Sequence, residues 1–241
     1  QQEEIRVKGA TNQWSLSYGG NVMDKFFFGA GLGISSLRYK SQKIFTENFD
    51  NPDVIHSMRL DEELDIRGSG INATFGAIVR PVNFMQVGAS YTTPTFYNLT
   101  ETYEAVMGTR WNNFDYYGDG SEILGDNTND PSFTDLITSD YNLTTPSKAS
   151  FGIAFISKFG FITGDVELTN PAKAKYSSDT PGISYSEEND DIKNIYEAVV
   201  NYRIGAEYRY EIFRVRAGYG VQSNTYNDLD ADNKITSLSG G

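Results

Sequence analysis

Charged residues alternate with apolar residues in the last third of the chain, and their types suit ion pairing. They are Asp165, Glu167, Arg203, Glu207, Arg209, Arg214 and Arg216. On paired strands, side chains directly opposite each other lie about 5 Å apart, so these acids and bases can meet. We expect either a polar ladder that lines a conduction path or supports a plug, or a structural salt-bridge network.

A second group of carboxylates lies near the end of the chain at alternate positions: Asp228, Asp230 and Asp232. Hard oxygen ligands at this spacing are typical of the first half of a calcium-binding EF-hand loop. Asn233 stands where that loop has glycine, and Ser239 where it has a bidentate glutamate. A calcium site and a solvated acidic loop are both open interpretations, and we expect no other cofactor.

Residues for catalysis are scarce. The chain has one histidine, His56, and no cysteine. This composition leaves no Cys–His pair and no two-histidine metal site. We therefore expect a protein that is not an enzyme.

The ladder residues belong to segments with a two-residue period. Over residues 200–210 one face carries Val200, Tyr202, Ile204, Ala206, Tyr208 and Tyr210, and the other carries Asn201, Arg203, Gly205, Glu207 and Arg209. This pattern predicts a β-strand with two chemically opposite faces. The length matches the roughly 9–11 residues with which a tilted strand crosses a bilayer.

Similar segments occur in pairs along the whole chain. We predict strands near residues 9–20 and 26–46, 62–80 and 84–104, 147–157 and 161–176, and 200–210 and 213–222, with a ninth beginning at Lys234. In the second segment Gly29, Gly31 and Gly33 alternate with apolar residues, and a change of phase predicts a bulge near Ser35 and Ser36.

The links between the predicted strands alternate in length. Short links lie at residues 23–25, 81–83, 158–160 and 210–212, and long ones at 47–61, 105–146 and 177–195. Short turns on one rim and long loops on the other are typical of outer-membrane barrels. A β-sandwich, which would bury the apolar faces between two sheets and leave the charged faces solvated, is the alternative.

Composition excludes two other classes of protein. The net charge of −12 argues against a nucleic-acid partner, because no basic stripe could neutralise phosphates. No apolar run reaches the length of about 18 residues that a transmembrane helix needs.

In a membrane barrel the ladder would face the lumen, since an arginine facing lipid at mid-depth costs about 2–4 kcal/mol.

Several short segments resemble the FadL/TodX family of outer-membrane transporters of hydrophobic compounds. They are Gly68-Ser69-Gly70-Ile71-Asn72-Ala73-Thr74-Phe75-Gly76, Arg80-Pro81, Val87-Gly88-Ala89-Ser90-Tyr91-Thr92-Thr93-Pro94-Thr95, Leu143-Thr144-Thr145-Pro146-Ser147-Lys148-Ala149, Gly205-Ala206-Glu207-Tyr208-Arg209 and Arg214-Val215-Arg216-Ala217-Gly218-Tyr219. The resemblance covers about residues 60–241. It implies a 14-stranded barrel with an N-terminal hatch, a ligand pocket and a lateral opening.

The chain departs from that family in two respects. No hatch precedes residue 9, and we interpret Asn170-Pro171-Ala172, which matches a hatch triplet of the family, as a coincidence. Only eight strands and part of a ninth are predicted. We therefore expect residues 1–241 to be a single β-barrel domain that is incomplete at both ends.

The predicted protein is thus an all-β, antiparallel, up-and-down transmembrane β-barrel of the bacterial outer membrane. We expect passive uptake of hydrophobic small molecules, such as long-chain fatty acids or aromatic hydrocarbons, with outer-membrane lipid around the barrel. Two alternatives stay open. One is a soluble or surface β-sandwich that binds a ligand or partner, and the other is a barrel scaffold of a surface or secretion complex, with a surface protein partner.

Overall fold

The computed structural model describes residues 1–50, 54–127, 131–227 and 233–241, and most of them lie in β-strands. The strands are β1 (Gln2–Val22), β2 (Phe26–Asn48), β3 (Ile55–Val82), β4 (Met85–Thr92), β5 (Phe96–Asp115), β6 (Ile123–Asp126), β7 (Ser132–Phe133), β8 (Ile137–Thr144), β9 (Lys148–Ser157), β10 (Gly160–Thr169), β11 (Lys175–Ser177), β12 (Val199–Tyr210), β13 (Phe213–Gln222) and β14 (Ile235–Gly240). The helices are the 3-10 helix η1 (Pro171–Lys173) and the α-helix α1 (Ser186–Ile195).

All of these strands join one sheet. Its main path runs β11-β8-β5-β3-β4-β9-β10-β12-β13-β14, while β2 pairs with β1 and β3, and β6 and β7 pair with β5. The registers defined by the described residues are antiparallel. The all-β, antiparallel, up-and-down prediction is confirmed. The β-sandwich alternative is wrong, because the described strands form no second sheet.

The two ends of the sheet are open. Among the described residues β1 pairs only with β2, and β14 pairs only with β13. Backbone hydrogen bonds do not connect β1 to β14 within these residues.

The four tight turns lie side by side at the same end of the strands. Backbone hydrogen bonds join each turn region to the next: Arg80 N to Lys25 O (2.7 Å), Ile156 N to Phe84 O (2.8 Å) and Arg209 N to Phe159 O (2.7 Å). The short links therefore share one rim, as the sequence predicted.

The long links are more ordered than predicted. Residues 105–146 contain the end of β5, then β6, β7 and β8. Most of residues 47–61 belong to β2 and β3, so only the link between Asn48 and Ile55 is left. Residues 177–195 contain α1. The predicted strand over 84–104 is two strands, because the segment Thr93-Pro94-Thr95 interrupts it. Proline lacks the N–H that a sheet ladder requires, which explains the break.

The predicted bulge near Ser35 and Ser36 is also wrong. Burial alternates without a change of phase through this part of β2: Gly33 and Ser35 are buried, while Ile34 and Arg38 are exposed. What changes is the chemistry of each face. The exposed face passes from apolar side chains to Arg38 and Lys40 while the strand itself continues regularly.

The chain divides into two compact units, and several strands contribute to both. The first unit comprises residues 1–12, 36–69 and 99–140, and the second comprises 13–35, 70–98 and 141–241. The structure contains no helix, across the described ranges, that is long and apolar enough to span a membrane.

The first unit carries ion pairs on one face of its strands. Asp65 pairs with Arg67 (2.7 Å) and Arg38 (3.7 Å), and Lys40 pairs with Glu63 (2.5 Å). Because alternate strand residues face opposite sides, Leu37, Tyr39, Leu60, Leu64 and Ile66 share the other face, where they are partly buried. This unit thus has charges on its exposed face.

The second unit has the opposite arrangement, with large hydrophobic side chains exposed on what we call the apolar face. Trp14 is 81% exposed and Leu16 is 78% exposed. Nine further apolar and aromatic side chains of its strands are also exposed: Ile71, Phe75, Val79, Phe151, Ile153, Phe155, Ile204, Val215 and Tyr219. The opposite, polar face carries mainly glycine, serine, threonine, amides and the charged ladder.

Candidate functional site

A cavity of about 850 Å³ lies within the second unit, where β1, β2, β3, β4, β9 and β10 follow one another. Many residues of its wall are glycine or polar: Gln13, Ser15, Ser17, Gly19, Gly29, Gly31, Gly33, Asn72, Thr74, Gly76, Gln86, Gly88, Ser90, Ser150, Gly152, Thr163, Gly164 and Asp165. The wall also contains apolar residues, among them Phe27 and Ile78. This volume lies in the range of sites for small organic ligands. A ligand or a passage is therefore expected on the polar face.

Glycine makes much of this wall from backbone alone. Gly88 and Gly152 are direct partners across β4 and β9. A Cβ atom added at Gly29, Gly31, Gly76 or Gly152 would have its nearest neighbour at 3.5–3.7 Å, an ordinary contact. Gly29, Gly31, Gly76 and Gly152 are therefore not required by local packing. Their effect is to leave space in front of the sheet.

One end of the cavity is fixed by hydrogen-bonded side chains. Asn72 is 8% exposed and donates from Nδ2 to Thr95 Oγ1 at 3.0 Å. Ser35, only 1% exposed, donates to Gln13 Oε1 at 3.3 Å. A Cβ atom at Gly33 would lie 2.6 Å from Asn72 Oδ1, so glycine is needed there for packing. This end of the wall is rigid.

The first half of the charged ladder lies beside the cavity. Asp165 in β10 and Arg203 in β12 are register partners, with Nε to Oδ1 at 3.5 Å. Glu167 lies 3.9 Å from Arg203 and accepts a hydrogen bond from Asn201 at 3.1 Å. Asp165 also belongs to the cavity wall, so this group connects the two features.

The second half is centred on Glu207, whose side chain is 2% exposed. Its carboxylate accepts a hydrogen bond from Arg209, and another from Arg216 at 2.5 Å. Arg214 is the register partner of Arg209 and has no ion-pair partner among the described residues. Three guanidinium groups and one carboxylate leave this part of the polar face positive.

The ladder residues predicted from the sequence therefore form two separate groups on one face. The resemblance implied a ligand pocket, but the sequence did not predict where the cavity lies. Its signal was nevertheless present in the sequence, since Gly29, Gly31 and Gly33 occupy alternate positions opposite Phe28, Ala30 and Leu32. Alternating glycines indicate a strand face without side chains, but the partners of that face depend on strand register.

The predicted calcium ligands Asp228, Asp230 and Asp232 lie outside the described residues. Among the residues that the structure describes, no three His, Asp or Glu side chains come together in a group that could hold a metal ion.

Comparison with known proteins gives similarity at the level of structure. No protein-family model matches the chain, and no curated protein matches it in sequence. The toluene transporter TbuX of Ralstonia pickettii superimposes with a TM-score of 0.52 at 14% identity, over 98% of this chain and 58% of the transporter. The chain has a FadL/TodX-type fold.

Two further structures with this fold align less closely. The CymD monoaromatic hydrocarbon channel has a TM-score of 0.45 at 12% identity, over 99% of this chain and 77% of the channel. The toluene transporter TodX of Pseudomonas putida has a TM-score of 0.41 at 12% identity, over 99% of this chain and 78% of the transporter. The superposition on TbuX confirms the predicted FadL/TodX-type resemblance as a fold, and the chain spans little more than half the length of TbuX.

Proposed function

We propose that the protein lies in the bacterial outer membrane, with the apolar face of its second unit in contact with lipid. Support comes from the exposed side chains on that face, which include Trp14, Leu16, Phe28, Leu32, Ile71 and Phe151. A continuous surface of this kind is unfavourable in water but favourable in hydrocarbon.

The length of the apolar segments supports the same proposal. On β1 the apolar face extends from Trp14 to Val22, and on β2 from Phe26 to Ile34, which is nine positions each. A tilted strand crosses a bilayer in roughly 9–11 residues. The ladder arginines lie on the polar face, where they avoid the cost of about 2–4 kcal/mol for arginine in lipid at mid-depth.

The proposed activity is passive transport of hydrophobic small molecules across that membrane. The observation that carries it is the cavity with a glycine wall, on the face opposite the apolar one, in a sheet of the FadL/TodX type. Backbone walls leave a passage and offer few strong interactions that would retain an apolar solute. TbuX is a toluene transporter, so monoaromatic hydrocarbons are the first substrates to test, followed by long-chain fatty acids.

We propose that the ion pairs of the charged ladder hold the strands around the cavity in place. Asp165, Glu167 and Arg203 lie beside the cavity, and Glu207 holds Arg209 and Arg216 at its periphery. In this proposal their role is structural.

The experiment is an uptake measurement on cells that produce the natural protein. We expect the protein in the outer-membrane fraction, soluble only with detergent, and faster uptake of labelled toluene or oleate than in cells with an empty vector. A protein found in the aqueous fraction would overturn the membrane placement. Outer-membrane localisation without faster uptake of either compound would instead favour the scaffold alternative.

A pair of variants on β9 tests the cavity itself. Gly152→Leu places a side chain in the cavity, where only ordinary contacts at 3.6 Å surround the added Cβ atom, and should slow uptake. Ala149→Leu, on the apolar face of the same strand, is the matched control and should leave uptake unchanged. Equal uptake by both variants at equal abundance would show that the passage does not run past Gly152.

A further inference from the structure

A second cavity, of about 750 Å³, lies in the segment between β10 and β12, away from the glycine wall. Its wall is formed by η1, β11, the residues just before α1 and one side of α1 itself, and includes Asn170, Lys173, Lys175, Tyr176, Tyr185 and Lys193. The helix packs against both η1 and β11. The sequence predicted a strand as far as residue 176 and a long link over 177–195, whereas β10 ends at Thr169 and is followed by η1, β11 and α1.

This cavity is held in a defined shape. The side chain of Asn189, in α1, accepts a hydrogen bond from the backbone N–H of Tyr176 at 2.7 Å and donates one to its carbonyl oxygen at 2.8 Å. Tyr176 and Tyr185 pack with their ring centroids 6.0 Å apart, and both contact Tyr141. Rings fixed in this way provide a preorganised surface for a ligand ring.

The wall is positively charged although the chain has a net charge of −12. Its charged residues are Lys173, Lys175, Lys193 and Asp190, and Asp190 pairs with Lys193 at 2.7 Å. Among the described residues, Lys173 and Lys175 have no carboxylate partner. Glu187, Glu188 and Asp191 of α1 are not part of the wall. Two ammonium groups thus remain available to an anion.

One buried acceptor in the wall also lacks a partner. The Oδ1 atom of Asn170 is buried, and no donor among the described residues lies within hydrogen-bonding distance. Buried polar atoms are nearly always hydrogen-bonded, so this oxygen indicates a ligand with a hydroxyl or N–H group. Asn170 begins the triplet Asn170-Pro171-Ala172, whose main chain forms η1 through the hydrogen bond from Lys173 N to Asn170 O at 3.0 Å.

We infer that this cavity binds a sugar that carries a carboxylate or a phosphate. The anionic group pairs with Lys173 and Lys175, a hydroxyl donates to Asn170 Oδ1, and the sugar ring packs on Tyr176 and Tyr185. A sugar of one or two rings fits a cavity of this volume. The ligand is either a free sugar acid or the head group of an outer-leaflet glycolipid. This site does not depend on the proposed transport activity.

Calorimetric titration of the purified protein tests the inference, with galacturonate, glucose 6-phosphate and neutral galactose as probes. We expect saturable binding of both anions. The affinity for galactose should be lower by at least about tenfold, because a charge-assisted hydrogen bond is lost. Lys173→Ala combined with Lys175→Ala should weaken galacturonate binding by at least about tenfold. Lys158→Ala, at a tight turn, is the matched control and should bind normally.

Asn170→Ala separates ligand binding from folding. Since Oδ1 has no partner in the protein, the variant should keep its melting temperature but lose the rise in melting temperature that galacturonate gives the natural protein. Galactose binding as tightly as galacturonate, or a double lysine variant with unchanged affinity, would overturn the inference. Displacement of galacturonate by rough lipopolysaccharide identifies the glycolipid as the source, and failure of displacement identifies the free sugar acid.

Discussion

At the scale of single residues, glycine has two different roles on the polar face. At Gly76 and Gly152 it leaves space, and the nearest atoms to an added Cβ lie at 3.6–3.7 Å. At Gly70 it allows a neighbouring ring to pack, because an added Cβ atom would lie 2.6 Å from Cδ1 of Tyr97. Tyr97 is only 8% exposed, so its ring cannot move away freely.

These two roles predict opposite effects of the same substitution on β3. Gly70→Ala should lower the free energy of unfolding by about 1–3 kcal/mol, because the methyl group overpacks the site beside Tyr97. Gly76→Ala, on the same face, should leave the free energy of unfolding unchanged or raise it by up to about 1 kcal/mol. The reason is that alanine lowers the conformational entropy of the unfolded chain. Denaturant unfolding of the detergent-solubilised protein measures both. Equal stability of the two variants would contradict the packing of Tyr97 over Gly70.

At the scale of elements, the tight turns set the register of the hairpins. Met23 and Asp24, between β1 and β2, both have φ of 55°, and Val22 O accepts a hydrogen bond from Lys25 N at 3.1 Å. Two central residues with positive φ are the requirement of a type I′ turn, which favours Asn-Gly. The turn between β9 and β10 instead leads directly into Gly160, the first residue of β10, which has a φ of 139° and where an added Cβ atom would lie 1.8 Å from Glu207 O.

The first of these turns can be improved. Met23→Asn combined with Asp24→Gly should raise the free energy of unfolding by about 1 kcal/mol, because non-glycine residues with positive φ each cost roughly that amount. Ser69→Gly, which places glycine in the extended backbone of β3, is the control and should be destabilising. A rise in the denaturant midpoint for the first variant and a fall for the second are the expected results. A lower midpoint for the Asn-Gly variant would argue against the type I′ turn.

At the scale of the whole molecule, the two units differ in which face carries charge. The second unit exposes apolar side chains, whereas the first exposes ion-paired side chains such as Arg67, Lys40 and Glu63. Charged residues on an exposed strand face are incompatible with hydrocarbon. The proposed contact with lipid is therefore confined to the second unit.

Arginine substitutions at neighbouring positions of β10 test this placement. Ile162, 58% exposed on the apolar face, should not tolerate arginine, and Ile162→Arg should destabilise the inserted protein by about 2–4 kcal/mol. Thr163→Arg, one residue further and on the polar face, should still insert normally. Folding into vesicles, followed by protease protection, measures both. Efficient insertion of Ile162→Arg would show that this face does not meet lipid.

The sequence by itself determined the paired strands that flank the tight turns, their sidedness and the rim that holds those turns. These features depend on local properties: the two-residue period of residues such as Ile204 and Arg203, and the residues available for turns. It also determined that the ladder residues share one face, since alternation alone sets that.

Only the tertiary structure decided where the ladder divides, where the cavities lie and how the long links fold. Arg203 meets Asp165, and Arg216 meets Glu207, because of the register between separate strands. The glycines of the first cavity come from strands far apart in the chain, and Lys173, Lys175 and Lys193 come together because α1 packs on η1 and β11. Such non-local contacts depend on the relative free energies of alternative registers and packings, which local residue patterns do not encode.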